Sequence, residues 1–236
     1  MTGTVINVLA ILAGSALGLR FGTLFSGRTR DTIMSGLGLF TIAIGLEMTL
    51  ETQNALIVLG GLLVGTLIGE GLGLESWLEK VGVRLEKRVG NGGDADSRAR
   101  FVRGFMTASL LFCIGPLAIL GSIQDGLIGD SQLLVIKSIM DGFASFAFAS
   151  TLGLGVAFSA LTVLVYQGGI TLFAAQLQGV MTAAMTAEMT ATGGVLLLGL
   201  AVSSLLELRD IRVGNMLPAL VISPLIVLVL NSLGVL

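Results

Sequence analysis

The chain has 236 residues, of which 54% are hydrophobic and only 12% charged, and its formal net charge is −2. A soluble domain carries about 25% charged residues; this chain lacks the polar surface to coat a soluble globule, so the class is an all-α polytopic membrane protein. Histidine is absent and Cys113 is the one cysteine. These facts exclude Ser-His catalysis, His-ligated zinc, histidine proton relays and an internal disulfide.

Apolar stretches run over about 4–19, 31–50, 54–74, 104–124, 132–150, 153–175, 193–207 and 214–235. Most reach the roughly 20 residues that cross a bilayer. The opening "MTGTVINVLAILAGSALGLRFG" has no basic segment before its apolar run. It reads as a retained first membrane helix and not as a signal peptide. It also carries Gly14, Gly18 and Gly22 on one face, and the third span repeats the pattern with Gly61, Gly65, Gly69 and Gly73. Such ladders let helix backbones approach closely.

All basic residues except Lys137 fall at 20–30, 80–103 and 209–212. Basic loops mark the cytoplasmic side. The N-terminus is therefore expected outside, with the three basic segments cytoplasmic. The stretch 75–90, "ESWLEKVGVRLEKRVG", places Trp77, Leu78, Val81, Leu85 and Val89 at helical spacing between charges. It reads as an amphipathic helix on the cytoplasmic surface. Residues 91–98, "NGGDADSR", read as a polar linker, within a single integral membrane domain over 1–236.

The same parity leaves one crossing between residue 170 and Arg209. Two helical pieces occupy that interval. The expectation is eight crossings, with 193–207 as the seventh and 177–191 as a re-entrant or surface half-helix. Nine crossings is the alternative. Gly193 and Gly194 would be the hinge.

Arg30, Arg100 and Arg209 each precede a glycine or proline at a similar distance, at Gly45, Gly115 and Pro224. A recurring hairpin with a weakened second helix is inferred, an arrangement typical of secondary transporters.

Few ionisable residues lie inside spans, where each is costly. Glu47 and Glu70 sit near span ends, within reach of the interface. Lys137 and Asp141 are one turn apart on span 5 and share a face. They form either an ordering pair or a pair that opens when an ion or solute binds. In span 4, Gly115 and Pro116 interrupt the helix and free carbonyls that need protein, water or an ion; Gln124 and Asp125 close that span. The string "TLGLGV" at 151–156 resembles a potassium filter but lacks the tyrosine and reads better as a glycine turn.

Residues 181–194, "MTAAMTAEMTATGG", align Met181, Met185 and Met189 in one stripe and Ala184, Glu188 and Thr192 in another. Packing accounts for the Ala and Thr faces but not for Glu188. That carboxylate needs Lys137, water, a proton or a cation.

The strings "SLLFCIGPLAILGSIQDG", "KSIMDG", "FASTLG", "YQGGITLFA", "EMTATGG" and "MLPALVISP" resemble the YqgA/YdfK-like family of bacterial inner-membrane proteins, known as a domain of unknown function. The resemblance implies a bacterial plasma-membrane location and carries over no activity or site residue.

The residues themselves favour a small secondary transporter or permease. Its site would combine Glu188, Asp141, Lys137, Gly115, Pro116, Gln124, Asp125 and Thr192, with Gly14, Gly18, Gly61, Gly65 and Gly69 packing the bundle. The alternatives are an oligomeric ion channel and a non-transporting assembly or regulatory protein. The expected partners are the lipid bilayer, a small solute or ion and a possible homo-oligomer. No enzyme activity, cofactor, metal or nucleic acid is expected.

Overall fold

The structure is a computed structural model describing residues 1–89, 95–177 and 181–234. It is all-α, and no strand occurs among the described residues. The helices are α1 (Thr2–Gly22), α2 (Gly27–Thr49), α3 (Ala55–Leu72), α4 (Leu74–Val89), α5 (Ala95–Ile114), α6 (Pro116–Ile128), α7 (Gln132–Leu152), α8 (Gly155–Leu172), α9 (Ala174–Leu177), α10 (Ala183–Leu200) and α11 (Ala219–Ser232). A π-turn at Ala201–Leu205 extends α10, and a 3-10 turn at Val213–Met216 leads into α11.

Seven of the described helical segments are long and apolar enough to cross a bilayer: α1, α2, α3, α7, α8, Ala183–Leu205 and Val213–Ser232. The eighth span, if α5 and Leu117–Ile128 count as one, is bent by 63° at the break between them. Proline opens α6 as its first residue, where its missing N–H costs nothing and its fixed φ suits a helix start.

Two sequence expectations are corrected. Glu188, Gly193 and Gly194 lie inside one continuous α10, so the Met-Thr-Ala run from residue 183 is the first half of a span and not a separate half-helix. Of the expected 177–191 piece, Leu177 ends α9 and residues 178–180 lie outside the described residues. The threonines do not interrupt the helix because their hydroxyls bond back one turn: Thr186 to the Thr182 carbonyl, Thr190 to Thr186 and Thr192 to Glu188. The paired glycines are not a hinge either. A Cβ on Gly194 would meet the Gly45 carbonyl oxygen at 2.5 Å and the Thr49 nitrogen at 2.6 Å, so glycine is required there by close contact with α2.

The weakened helices expected at Gly45 and Pro224 are also continuous, since α2 and α11 run through both positions. Pro224 removes one backbone bond in the second turn of α11, a loss that a packed membrane helix tolerates. Of the expected linker, residues 91–94 fall outside the described residues, and 95–98 already belong to α5.

The chain divides into two compact units. Unit 1 comprises Met1–Gly36, Leu78–Cys113 and Leu117–Gly179. Its seam is α1 against α7. A Cβ on Gly14 would overlap the Gly142 carbonyl, one on Gly18 the Phe146 carbonyl, and one on Gly22 would lie 2.6 Å from the Ser150 carbonyl oxygen. Both series ascend, so the two helices run parallel. Phe21 and Phe146 add an edge-to-face pair with centroids 6.2 Å apart. Between α7 and α8 the chain turns at Gly153, whose φ of +82° suits glycine. That turn is what the Thr-Leu-Gly-Leu-Gly string encodes. Helix α4 is amphipathic, with Leu78, Gly82 and Glu86 buried while Trp77, Lys80, Arg84, Lys87 and Arg88 are exposed.

Unit 2 comprises Leu37–Trp77, Ile114–Pro116 and Val180–Leu236. Its ladder descends along the partner: Gly61 faces Ser223, Gly65 faces Ala219 and Gly69 faces Asn215. Helices α3 and α11 are therefore antiparallel. Helix α3 stops at Gly73, which adopts the left-handed conformation (φ +62°) and donates its N–H to the Glu70 carbonyl at 3.2 Å.

These contacts make a sharp distinction among glycines. On Gly69→Ala, the new Cβ has the Asn215 carbonyl oxygen in its place, and the variant is expected to lose about 1–3 kcal/mol of stability. Gly71→Ala, two residues on, meets nothing within 4 Å and is expected to be neutral or stabilising through helix propensity. Melting temperatures of the two purified variants in detergent check this.

Candidate functional site

In unit 1, α7 carries Lys137 and Asp141 on adjacent turns, and both are buried, at 5% and 7% exposure. The Lys137 ammonium donates to Asp141 Oδ2. It also lies 5.8 Å from the centroid of the Phe112 ring on α5, a cation–π contact. From α1, Asn7 Nδ2 donates to the same Asp141 oxygen at 2.9 Å and to Gln167 Oε1 on α8 at 3.2 Å. The orientation of the Asn7 amide follows from chemistry. Only its NH2 can face a carboxylate, so Oδ1 points away.

Asn7 and Gln167 are fully buried. Asn7 Oδ1, Gln167 Nε2 and Ser145 Oγ, the last one turn beyond Asp141, have no hydrogen-bond partner. An atom of this kind that neither water nor a ligand meets costs about 1–3 kcal/mol. Ser15 Oγ on α1 and Thr107 Oγ1 on α5 are in the same condition. Thus four helices of one unit converge on an ion pair with unspent hydrogen-bonding capacity around it.

Asp125 has a different role. Its Oδ2 accepts from the Gly3 N–H at 3.0 Å and pairs with the Met1 amino group at 2.9 Å. It thereby sits at the positive end of α1. Thr4 and Thr171 hydroxyls lie 3.5 Å apart just below. Gln124, its neighbour in sequence, is exposed and joins neither group.

Glu188, in unit 2, is 1% exposed. Its partner is not Lys137. Oε2 accepts from the Thr52 hydroxyl at 2.7 Å, and Oε1 accepts from the Gln53 and Asn54 N–H groups at 2.8 and 2.9 Å. Asn54 is the N-cap of α3, its own side chain accepting from Leu56 N–H at 3.1 Å. Glu188 is therefore stabilised by the backbone donors and dipole of a helix N-terminus, not by a countercharge. Thr192 Oγ1 donates to the Glu188 carbonyl and lies 2.7 Å from Ser223 Oγ, tying α10 to α11. Gly115 sits at the bend before Pro116, and a Cβ there would meet nothing within 4 Å.

The residues expected in one site thus fall into distinct groups. Lys137 and Asp141 come together with two residues the sequence reading missed, Asn7 and Gln167. Asp125 belongs to the start of α1, and Glu188 and Thr192 belong to unit 2. A signal for Asn7 was present: it stands two turns before the ladder Gly14, Gly18, Gly22, as Asn54 stands before Gly61, Gly65, Gly69. Gln167 lies in the "YQGG" string, with nothing local to single it out. Among the described residues no group of three or more carboxylate or cysteine side chains could hold a metal.

Residues 2–228 match a family model described as "Protein of unknown function (DUF554)". The chain belongs to this family. It is similar to the "Uncharacterized membrane protein YdfK" of Bacillus subtilis (strain 168), with 32% identity over 99% of both chains. It is also similar to the "Uncharacterized protein YqgA" of Escherichia coli (strain K12), with 28% identity over 94% of both. The resemblance read from the sequence is borne out. No solved structure matches the chain.

A second polar group of unit 2 joins Glu75 of α4, outside the spans, to the first residues of Val213–Ser232. Glu75 N–H donates to Asn215 Oδ1 at 2.8 Å, and Gly214 N–H donates to Glu75 Oε2 at 2.7 Å, a reciprocal cap between α4 and the 3-10 turn. Burial raises the Glu75 pKa above its usual 4.5 despite the opposing Gly214 bond, with Asp210 nearby adding to the rise. The folded state then holds its proton to higher pH than the unfolded chain does. Its contribution is fully present below about 4.5 and is lost as pH rises through the raised value.

Two outcomes are expected. Glu75→Gln should flatten the fall in melting temperature that the unsubstituted protein shows as pH rises above about 4.5. Glu188→Leu orphans two backbone donors and a hydroxyl, and should cost roughly 1–3 kcal/mol for each orphaned donor, against about 1 kcal/mol for Thr52→Val. Thermal unfolding of the purified variants at one pH compares them.

Proposed function

We propose that the protein is a small secondary transporter or permease that moves a small solute or ion across a bacterial inner membrane. The observation that carries this is the buried cluster of Lys137, Asp141, Asn7 and Gln167, which holds a complete ion pair beside unpartnered amide atoms. Ionisable side chains inside a membrane are expensive and mark solute paths by default. A pair that only ordered the bundle would be expected to have its surrounding polar atoms satisfied.

The 63° break between α5 and Leu117–Ile128 supports the same reading, because interrupted helices expose backbone carbonyls to a cavity in transporters. The N-terminus is assigned outside and the basic loops to the cytoplasm from the distribution of Lys and Arg. Glu188 is assigned to holding the start of α3 and takes no part in the solute path.

The test is uptake into proteoliposomes of a panel of radiolabelled amino acids, amides, amines and carboxylates under an imposed proton or sodium gradient. Uptake of at least one class is expected, falling at least tenfold in Asp141→Asn and in Lys137→Met while both variants keep their fold by circular dichroism. Unitary currents in planar bilayers that need no gradient coupling would assign a channel instead.

A further inference from the structure

Taking the Asp141 cluster as the transport site, we infer that its substrate is an uncharged solute presenting an N–H donor and a C=O acceptor on one edge, the carboxamide class, and that Asn7 and Gln167 select it. Two independent features of the cluster lead there.

The first is charge balance. Lys137 and Asp141 cancel one another, and both are more than nine-tenths buried. The Lys137 charge is further occupied by the Phe112 ring. Asp125 and Glu86, the other buried carboxylates described in this unit, pair with the Met1 amino group and with Arg98. A bare cation or anion entering the cluster would add an uncompensated charge in a medium of low dielectric, where the cost is several kcal/mol. A cation would also meet the ammonium of Lys137, which already occupies Asp141 Oδ2 together with Asn7 Nδ2.

The second is the inventory of free hydrogen-bonding atoms. Two fully buried amides stand side by side, linked by the single bond from Asn7 Nδ2 to Gln167 Oε1 at 3.2 Å. Their other ends have no partner, and they are of opposite kind: Asn7 Oδ1 accepts and Gln167 Nε2 donates. A ligand that satisfies both must itself carry a donor and an acceptor. A carboxamide does so with its N–H and its carbonyl and brings no net charge. Ser145 Oγ, also unpartnered, can serve either end. A site built on buried hydrogen-bonding groups strongly rejects an analogue that lacks the matching group, because the protein atom is then left orphaned.

Equilibrium dialysis of the full-length protein in detergent tests this, with radiolabelled propionamide as probe and three near-isosteres as competitors: butanone, which lacks the donor, propylammonium and propionate. Saturable propionamide binding is expected, with each of the other three at least tenfold weaker as a competitor. Gln167→Met, if folded, should reduce the preference of propionamide over butanone to below threefold. The competitor ranking on the unsubstituted protein stands without that variant. Absence of saturable propionamide binding, or competition by propylammonium or propionate as strong as by propionamide, overturns the inference. Uptake of a charged solute that Asp141→Asn abolishes, without propionamide binding, sinks the substrate class and leaves the transport reading standing. Propionamide binding with no uptake of any solute sinks the transport reading and keeps the site as a carboxamide-binding site.

Discussion

The contact of backbone on backbone along the α1–α7 seam is the constraint on which the polar cluster depends. Lipid offers no hydrophobic drive to bring two helices together, so close packing must do it. At Gly14 and Gly18 the carbonyls of Gly142 and Phe146 occupy the space where a side chain would begin. That closeness permits a single register. With the glycines seated, Asn7, two turns earlier on α1, has only to extend its short side chain to reach Asp141. A wider seam would leave the amide out of range and the carboxylate with Lys137 alone. Helix α8 closes the group by bringing Gln167 to the same amide.

Helix starts impose a second demand. The first N–H groups of a helix have no partner within it, and a bilayer supplies none. In each unit a buried carboxylate meets that demand: Asp125 at Gly3 in unit 1, Glu188 at Gln53 and Asn54 in unit 2. Glu188 is met there by backbone N–H groups and the Thr52 hydroxyl, and Asp125 by the Gly3 N–H together with the Met1 amino group. Asp141 is of another kind, because its partners are the side chains of Lys137 and Asn7 and not the N–H groups of a helix start. A tally of acidic residues within spans does not separate these two situations. Geometry does, and it puts Glu188 on the backbone donors at the start of α3.

What the sequence made legible followed from rules that act locally or on composition. Span count and the amphipathic nature of 75–90 follow from hydropathy and period, and the pairing of Lys137 with Asp141 follows from their spacing on one helix. The errors arose where a local signal is overridden by a neighbour. Paired glycines at 193–194 look like a hinge, yet what requires Gly194 is its close contact with Gly45 and Thr49 of α2. Pro224 looks like a break, yet it removes only one bond of α11. Gln167 was invisible because its role exists only once α1 and α8 are side by side, and no period or motif in one chain segment records that.

The ion pair of unit 1 is not needed for stability as such. Replacing a buried pair by apolar residues of similar volume is often neutral or favourable, whereas breaking one partner is costly. Retaining the pair and surrounding it with half-used amides keeps the centre of the unit polar at a cost of several kcal/mol. That cost falls where α1, α5, α7 and α8 meet, with Asn7, Lys137 and Gln167 between one and two turns in from the start of α1, the start of α7 and the end of α8. A protein whose interior served only to hold helices together would have placed its polar atoms where they could be satisfied. The unspent donor of Gln167 and acceptor of Asn7 are therefore better understood as binding capacity than as faults in packing.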